Sequence, residues 1–185
     1  MGGKVNKTVF ENERFNVTAG GDFRYDDAGR VGLDHFEAGQ FVESVSDNQI
    51  KEGSYGLFLD STLHVTESLR LMGGLRGDYY DFDVTANNAN SFAGQQTDSR
   101  LSPKLGLAWA ATDTLELYGN WGRGFHSNDA RGVVNANDSV PGMSPGKGYE
   151  AGARTSIRDI KITAAYWWLD QESELICVGD SNSVE

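Results

Sequence analysis

Side-chain polarity alternates with a period of two along most of this chain, and few folds can use such a pattern. From Leu69 to Tyr80 the odd positions read Leu69, Leu71, Gly73, Leu75, Gly77 and Tyr79. The even positions read Arg70, Met72, Gly74, Arg76, Asp78 and Tyr80. Successive side chains of a strand point to opposite faces, so this is a strand with one apolar and one charged face. The same alternation runs from Leu101 to Trp109, Leu115 to Gly122, Tyr149 to Arg154 and Ile160 to Trp168. Two earlier runs, Phe15 to Tyr25 and Tyr55 to Leu63, fit as well. The reading is seven antiparallel strands, with a stub at Val5 to Phe10 as the end of an eighth.

Connection lengths also alternate. Short polar turns are expected at Thr66-Glu67-Ser68, Thr112-Asp113-Thr114 and Ser156-Ile157-Arg158-Asp159. Long segments without a clear period run from Asp26 to Asp47, Asp83 to Asp98 and Ser127 to Gly146. Short turn, long loop, short turn is the layout of an up-and-down transmembrane barrel, whose strands need only ~9–11 alternating residues. No stretch approaches the ~18 apolar residues of a spanning helix, which leaves a spanning barrel open. If the short turns mark the periplasmic side, Tyr79, Tyr80, Phe82, Trp167 and Trp168 sit at outer strand ends and Trp109 at an inner one, at headgroup level. A soluble β-sandwich that binds carbohydrate or hydrolyses a substrate, with these aromatics in its core, is the competing reading.

Charge and motifs narrow the chemistry. Lys+Arg is 16 against Asp+Glu 27, a net charge of -11, which argues against binding nucleic acid. The single cysteine, Cys177, excludes an internal disulfide framework. The start, Met1-Gly2-Gly3-Lys4, has no apolar h-region, so a secretory signal is absent from this stretch. The end, Asp180 to Glu185, reads as a loop that closes no element. There is no G-x-S-x-G elbow, no H-E-x-x-H pair and no complete phosphate loop around Gly146-Lys147. No enzyme activity, cofactor or metal site is expected. His35, His64 and His126 are scattered, and Asp78, Asp81 and Asp83 read as solvated rim charges at a loop mouth.

Four blocks carry a more specific signal. They are Leu101-Ser102-Pro103-Lys104-Leu105-Gly106-Leu107-Ala108-Trp109, the run Asn120 to Gly132 (NWGRGFHSNDARG), the run Ser144 to Arg154 (SPGKGYEAGAR), and the run Leu169 to Asp180 (LDQESELICVGD). With Gly73 to Tyr80 (GGLRGDYY) as a weaker fifth, they resemble, in order, the barrel of bacterial TonB-dependent outer-membrane receptors. The resemblance covers most of residues 48–180. It implies a 22-stranded barrel with an N-terminal plug, which imports a scarce ligand such as a siderophore, cobalamin or an oligosaccharide. It also implies residence in the outer membrane of a Gram-negative bacterium. The chain matches about a third of such a barrel, without plug, TonB-contacting segment or closing strand, so residues 1–185 read as a single partial barrel domain.

Partners follow from that reading: outer-membrane lipid, a plug, the remaining barrel strands, and the TonB complex only through a full-length receptor. Seven strands cannot enclose a wide lumen, and an open sheet leaves two unpaired edges. The isolated chain is expected to aggregate, to pair edge-to-edge, or to be a truncated gene product. A small eight-stranded barrel with an adhesive or structural role is the alternative. The lumen-facing side should carry Arg70, Arg76, Asp78, Lys104, Glu116, Arg154 and Lys161. The loop 127–146 is the favoured ligand-contacting surface, with His126, Asn128, Asp129 and Arg131 as its candidate residues. Arginine at Leu71 or Leu107, on the lipid side, should cost roughly 2–4 kcal/mol near the midplane.

Overall fold

A computed structural model describes residues 1–172. Among them are eight strands, β1 (Gly2–Glu11), β2 (Phe15–Glu37), β3 (Gln40–His64), β4 (Leu69–Ala86), β5 (Gly94–Ala110), β6 (Leu115–Ser127), β7 (Met143–Ile157) and β8 (Ile160–Gln171), and one short helix, α1 (Ala130–Val133). They form a single antiparallel meander in the order β1 to β8, and β1 and β8 do not pair with each other. The fold class is therefore as the alternation predicts: all-β, up-and-down and partial. Two details differ. Val5 to Phe10 is no stub, because β1 pairs with β2 from Gly2↔Arg24 to Glu11↔Asn16. The sheet also stays open rather than closing as an eight-stranded barrel. The resemblance block ending at Asp180, Cys177 and the expected loop from Asp180 to Glu185 extend outside the described residues.

The short turns share one device. Thr66 Oγ1 accepts from the backbone of Ser68 (3.3 Å) and Leu69 (3.0 Å). Thr112 Oγ1 accepts in the same way from Thr114 (3.3 Å) and Leu115 (3.1 Å). Asn12 Oδ1 accepts from Arg14 (2.9 Å) and Phe15 (2.7 Å). A side-chain oxygen two and three residues ahead of the strand satisfies N–H groups that the ladder has not yet reached. The β7–β8 turn uses Arg158 with φ 55 instead. All four turns lie at one end of the sheet.

At the other end the strands outrun the expectation. Asp26 to Asp47 is not an irregular loop: β2 and β3 remain paired to Glu37↔Gln40, around a turn at Ala38-Gly39. Register shifts at Ala28/Val31, Leu33/Asp34 and His35/Phe36 break the period of two, which is why the alternation is not visible there. Likewise β4 and β5 extend through Ala86 and from Gly94, and the region between β6 and β7 shrinks to 128–142.

The two faces differ as the pattern requires. Leu57 is 75% exposed and Leu105 is 61% exposed, and Leu107, Leu117 and Ile162 are exposed beside them. A sandwich would seal these four aliphatics of β5, β6 and β8 between layers; here they lie bare on one side of one sheet, as lipid contact demands. Register aligns Phe23, Tyr55 and Tyr79 in one row, with the Tyr55 and Tyr79 rings 6.5 Å apart. Leu69, Trp109 and Leu117 form another row near the short turns. From Leu69 to Tyr79 is about 33 Å of strand at ~3.3 Å per residue. Tilted by ~40°, that spans about 25 Å, the height of an outer-membrane apolar band. Trp168 joins this face opposite Tyr149, whereas Trp167 lies on the other face, opposite Glu150.

Candidate functional site

The charged face is built by side chains that reach over a strand. Arg76 on β4 spans β3 to bind Asp22 on β2 through Nη1 (2.7 Å) and Nη2 (2.8 Å), while its Nε donates to Asp78 (2.9 Å). Lys104 on β5 spans β4 to reach Asp60 on β3 (2.9 Å). Arg70 on β4 spans β5 to pair with Glu116 on β6, which also takes Arg154 (3.3 Å). The Arg154 guanidinium lies over the Tyr118 ring at 4.3 Å, and Tyr118 donates to Glu150 (2.8 Å). Phe58 on β3 reaches over β2 to the Lys4 ammonium, 5.5 Å from its ring centroid. Bridges across an intervening strand converge on a concave side, so this face is the inside of the curve.

Glycines make these crossings possible. A Cβ on Gly56 would come closer than 3.0 Å to the Arg76 guanidinium, and one on Gly74 as close to the Lys104 chain. Gly20 stands under Phe58 and Gly152 under Tyr118 in the same way. Sequence reasoning missed this role. The signal was a glycine among charged positions on even-numbered residues, and it becomes legible only once the strand register is known.

Of the seven residues expected on this side, Arg70, Arg76, Asp78, Lys104, Glu116 and Arg154 sit in the lattice. Lys161 shares their face by register, opposite Ser156, near the short-turn end. Asp78 is not a solvated rim charge: only 2% of its side chain is exposed, because it lies beneath Arg76. Exposed ion pairs contribute about 0–1 kcal/mol each, so the lattice chiefly fixes orientation. Asp78 is the exception, since a buried carboxylate that loses its partner is costly.

The sheet's closed core lies at the long-connection end. Tyr80, Phe82 and Val84 continue the charged face of β4 upward, and Val133, Val134 and Ala130 pack on them. Phe82 and Val133 are fully buried there. The segment 128–142 thus folds inward over the concave face. Asn128 holds its base, donating from Nδ2 to Pro141 O (2.8 Å) and from its backbone to Gly142 O (3.0 Å). Asp129 caps α1, accepting from Arg131 N (2.8 Å) and pairing with its guanidinium (2.6 Å). Phe125 meets Tyr80 edge-on at 5.7 Å. Of the four candidate ligand residues, Asn128, Asp129 and Arg131 build this loop, and His126 stands exposed beside it, opposite Ser144.

A local rule explains how the loop enters. The Pro103 carbonyl faces β6, 3.7 Å from where a Cβ of Gly122 would stand. In an extended chain its nitrogen faces the same way, and proline has no hydrogen to donate. The β5–β6 ladder accordingly stops at Lys104↔Gly122, the shortest in the sheet. Above it, Asp98 accepts from Met143 N (2.9 Å) and Arg100 donates to Met143 O (3.0 Å). Where the β5–β6 ladder is missing, two β5 side chains thereby hold the first residue of β7.

Beyond Asn48↔Ala86 the β2–β3 hairpin continues past the sheet ladder as a ribbon, its base bonded to Asn87, Asn88 and Ser91. Arg30 ties it to Asp47 (2.9 Å) and Asp34 (3.1 Å), and Asn87 donates to Asp47 (2.9 Å). The Asn87 amide first, then Arg30, holds the Asp47 carboxyl below its ordinary value; Ser44 and then Arg30 do the same for Asp34. A depressed carboxylate contributes stability above its unfolded value of about 3.9, and that stability is lost as pH falls through the folded value. Amide-exchange protection of residues 31–47 should therefore be flat from about pH 5 to 8 and drop below about pH 4. Equal protection at pH 3 would show that these pairs do not hold the ribbon.

Comparison with known proteins agrees with this geometry. The family model "TonB dependent receptor-like, beta-barrel" matches residues 3–184. An uncharacterized TonB-dependent receptor of Haemophilus influenzae is 25% identical over 135 residues, 70% of this chain and 39% of that protein. The metal-pseudopaline receptor CntO of Pseudomonas aeruginosa is 26% identical over 135 residues, 69% of this chain and 19% of that protein. This chain thus spans about a fifth to two-fifths of these relatives. In fold it is similar to the ferric yersiniabactin uptake receptor FyuA of Yersinia pestis, with TM-score 0.73 and 14% identity over 94% of this chain and 28% of that one. The FrpB iron transporter of Neisseria meningitidis gives TM-score 0.70 and 13% identity over 92% of this chain and 28% of that one. The family is one of receptors and transporters, not of enzymes, and its barrels reside in the outer membrane of Gram-negative bacteria. A match to nearly every residue, on a sheet with one apolar face and one ion-paired face, places this chain in the TonB-dependent receptor family, within its β-barrel.

Proposed function

We propose that residues 1–185 form one sector of the barrel wall of an outer-membrane receptor that takes up a metal held by an organic chelator, powered through TonB. The observation that carries the reading is the two-sided sheet, with a self-paired ionic lattice inside, bare aliphatics outside and a loop folded inward at the mouth. The names of the relatives favour a metal chelate over cobalamin or an oligosaccharide: they include a metal-pseudopaline receptor, a ferric yersiniabactin receptor and a copper transporter.

In this reading Arg70, Arg76, Asp78, Lys104, Glu116, Arg154 and Lys161 face the lumen and a plug, and the aliphatic face meets lipid. The remaining strands pair with β1 and β8, and TonB acts through the full-length receptor. His126 faces the ligand, while Asn128, Asp129 and Arg131 hold the loop that carries it.

The test is uptake of radiolabelled ferric chelates by cells carrying the full-length receptor, with residues 130–140 intact or replaced by a Gly-Ser linker. The linker should lower uptake about tenfold or more, equivalent to ~1.4 kcal/mol or more, with the barrel still folded in the membrane. Uptake that is unaltered by the linker, or a receptor that carries only metal-free ligands, would overturn the reading.

A further inference from the structure

The β2–β3 ribbon ends in an apolar patch that nothing in the barrel reading uses. Leu33, Phe36, Phe41 and Val42 are each about half exposed, and Phe36 and Phe41 meet edge-on at 5.8 Å across the ribbon. They lie some 13 residues beyond Phe23 of the aromatic row, about 40 Å further along the strand at ~3.3 Å per residue, well clear of any acyl chain. The Phe36–Phe41 pair on one face of the tip, with Leu33 and Val42 on the other, leaves large apolar side chains in solvent and marks a contact surface.

Charge decides what fits it. Between Asp26 and Asp47 there are six carboxylates, Asp26, Asp27, Asp34, Glu37, Glu43 and Asp47, against Arg30 alone, so the ribbon carries -5 of the chain's -11. Arg30 is already committed to Asp34 and Asp47. A second copy would bring the same carboxylates face to face, and an anionic lipid surface would be repelled equally. A polypeptide with an apolar strip flanked by lysine or arginine is complementary in both respects.

We propose that the β2–β3 ribbon tip docks a cationic polypeptide, with Phe36 and Phe41 in its apolar strip and Glu37 and Glu43 on its basic flanks. The proposal rests on the barrel reading for the outward direction of the tip. That dependence is checked separately: Gln40→Cys in a C177S background should be labelled on intact cells by a membrane-impermeant maleimide. Failure to label overturns the orientation and the proposal with it, and labelling leaves docking to be judged alone.

Docking is measured by fluorescence anisotropy on the full-length receptor in zwitterionic detergent. The probes are two synthetic helical peptides with the same leucine-phenylalanine stripe, one flanked by lysines and one by glutamates. The lysine peptide should bind at least about tenfold more tightly, and more weakly as salt rises. Phe36→Ser with Phe41→Ser should remove about tenfold or more of that affinity. Glu37→Lys with Glu43→Lys leaves the aromatic pair intact, brings the ribbon from -5 to about -1, and should abolish the preference. Equal binding of both peptides, or affinities untouched by either variant pair, would overturn the proposal. So would Gln40→Cys receptors that cross-link to each other in place of binding peptide, because the tip would then serve a second copy.

Discussion

Gly56→Val is expected to cost the sheet about 1.5–3 kcal/mol, the range for losing hydrogen bonds between charged groups. The hydrogen at this position lets the Arg76 guanidinium lie flat across β3 on its way to Asp22. A side chain there would occupy the place of that guanidinium and press on the Asp78 carboxylate as well. Arg76 would swing away from Asp22 and Asp78, and the charge-assisted bonds to both would be lost. Gly77→Ala is the matched control on the opposite face. Its Cβ would meet only Leu101 Cδ1, at an ordinary 3.8 Å, so the change should stay within about 1 kcal/mol. Urea midpoints of the full-length receptor refolded into lipid vesicles measure both. Similar midpoints for the two variants would show that the bridges over glycine do not matter to the fold.

Leu75→Arg should cost roughly 2–4 kcal/mol, whereas Met72→Arg should cost far less. Leu75 is exposed on the aliphatic face, midway between the Leu69 row and the Tyr79 row, at the deepest point of the apolar band. Met72 sits on the charged face opposite Thr62 and Gly106, where an arginine finds water and polar neighbours. Depth refines the expectation for Leu71, which stands only two residues from the short-turn row and so should be penalised less than Leu75. Folding equilibria of the receptor in vesicles give the three values. Equal tolerance at positions 72 and 75 would contradict the assignment of faces.

The sequence made the strands legible wherever one face was greasy and the other charged, because period two survives a regular ladder. Leu69 to Tyr80 is the plainest case. It failed for Asp26 to Asp47 because both faces of that ribbon are solvated and three bulges shift the phase, so a paired hairpin looked like a loop. It underrated β1, whose ladder to β2 runs from Gly2 to Glu11 with one irregularity between Thr8 and Phe10, although Gly2-Gly3-Lys4 shows no alternation. At the mouth, Asn128-Asp129-Ala130-Arg131 was legible as a polar cluster but not as a cap: Asp129 two residues ahead of the N–H it accepts is a helix-start signal that a four-residue helix scarcely announces. The partners of Arg76 and Lys104 lie 54 and 44 positions away in the chain, distances that only the register brings together.

The place where Pro103 ends the β5–β6 ladder makes this wall mechanically uneven. Every other junction resists bending with a longer row of backbone bonds. This one has a short row, and above it two side chains of β5, Asp98 and Arg100, clasp the backbone N–H and C=O of one β7 residue, Met143. A load applied at the rim will concentrate there, so that the β1–β5 and β6–β8 portions behave as two stiff plates joined along a flexible crease, with the inward-folded loop riding on the second plate and braced against the first.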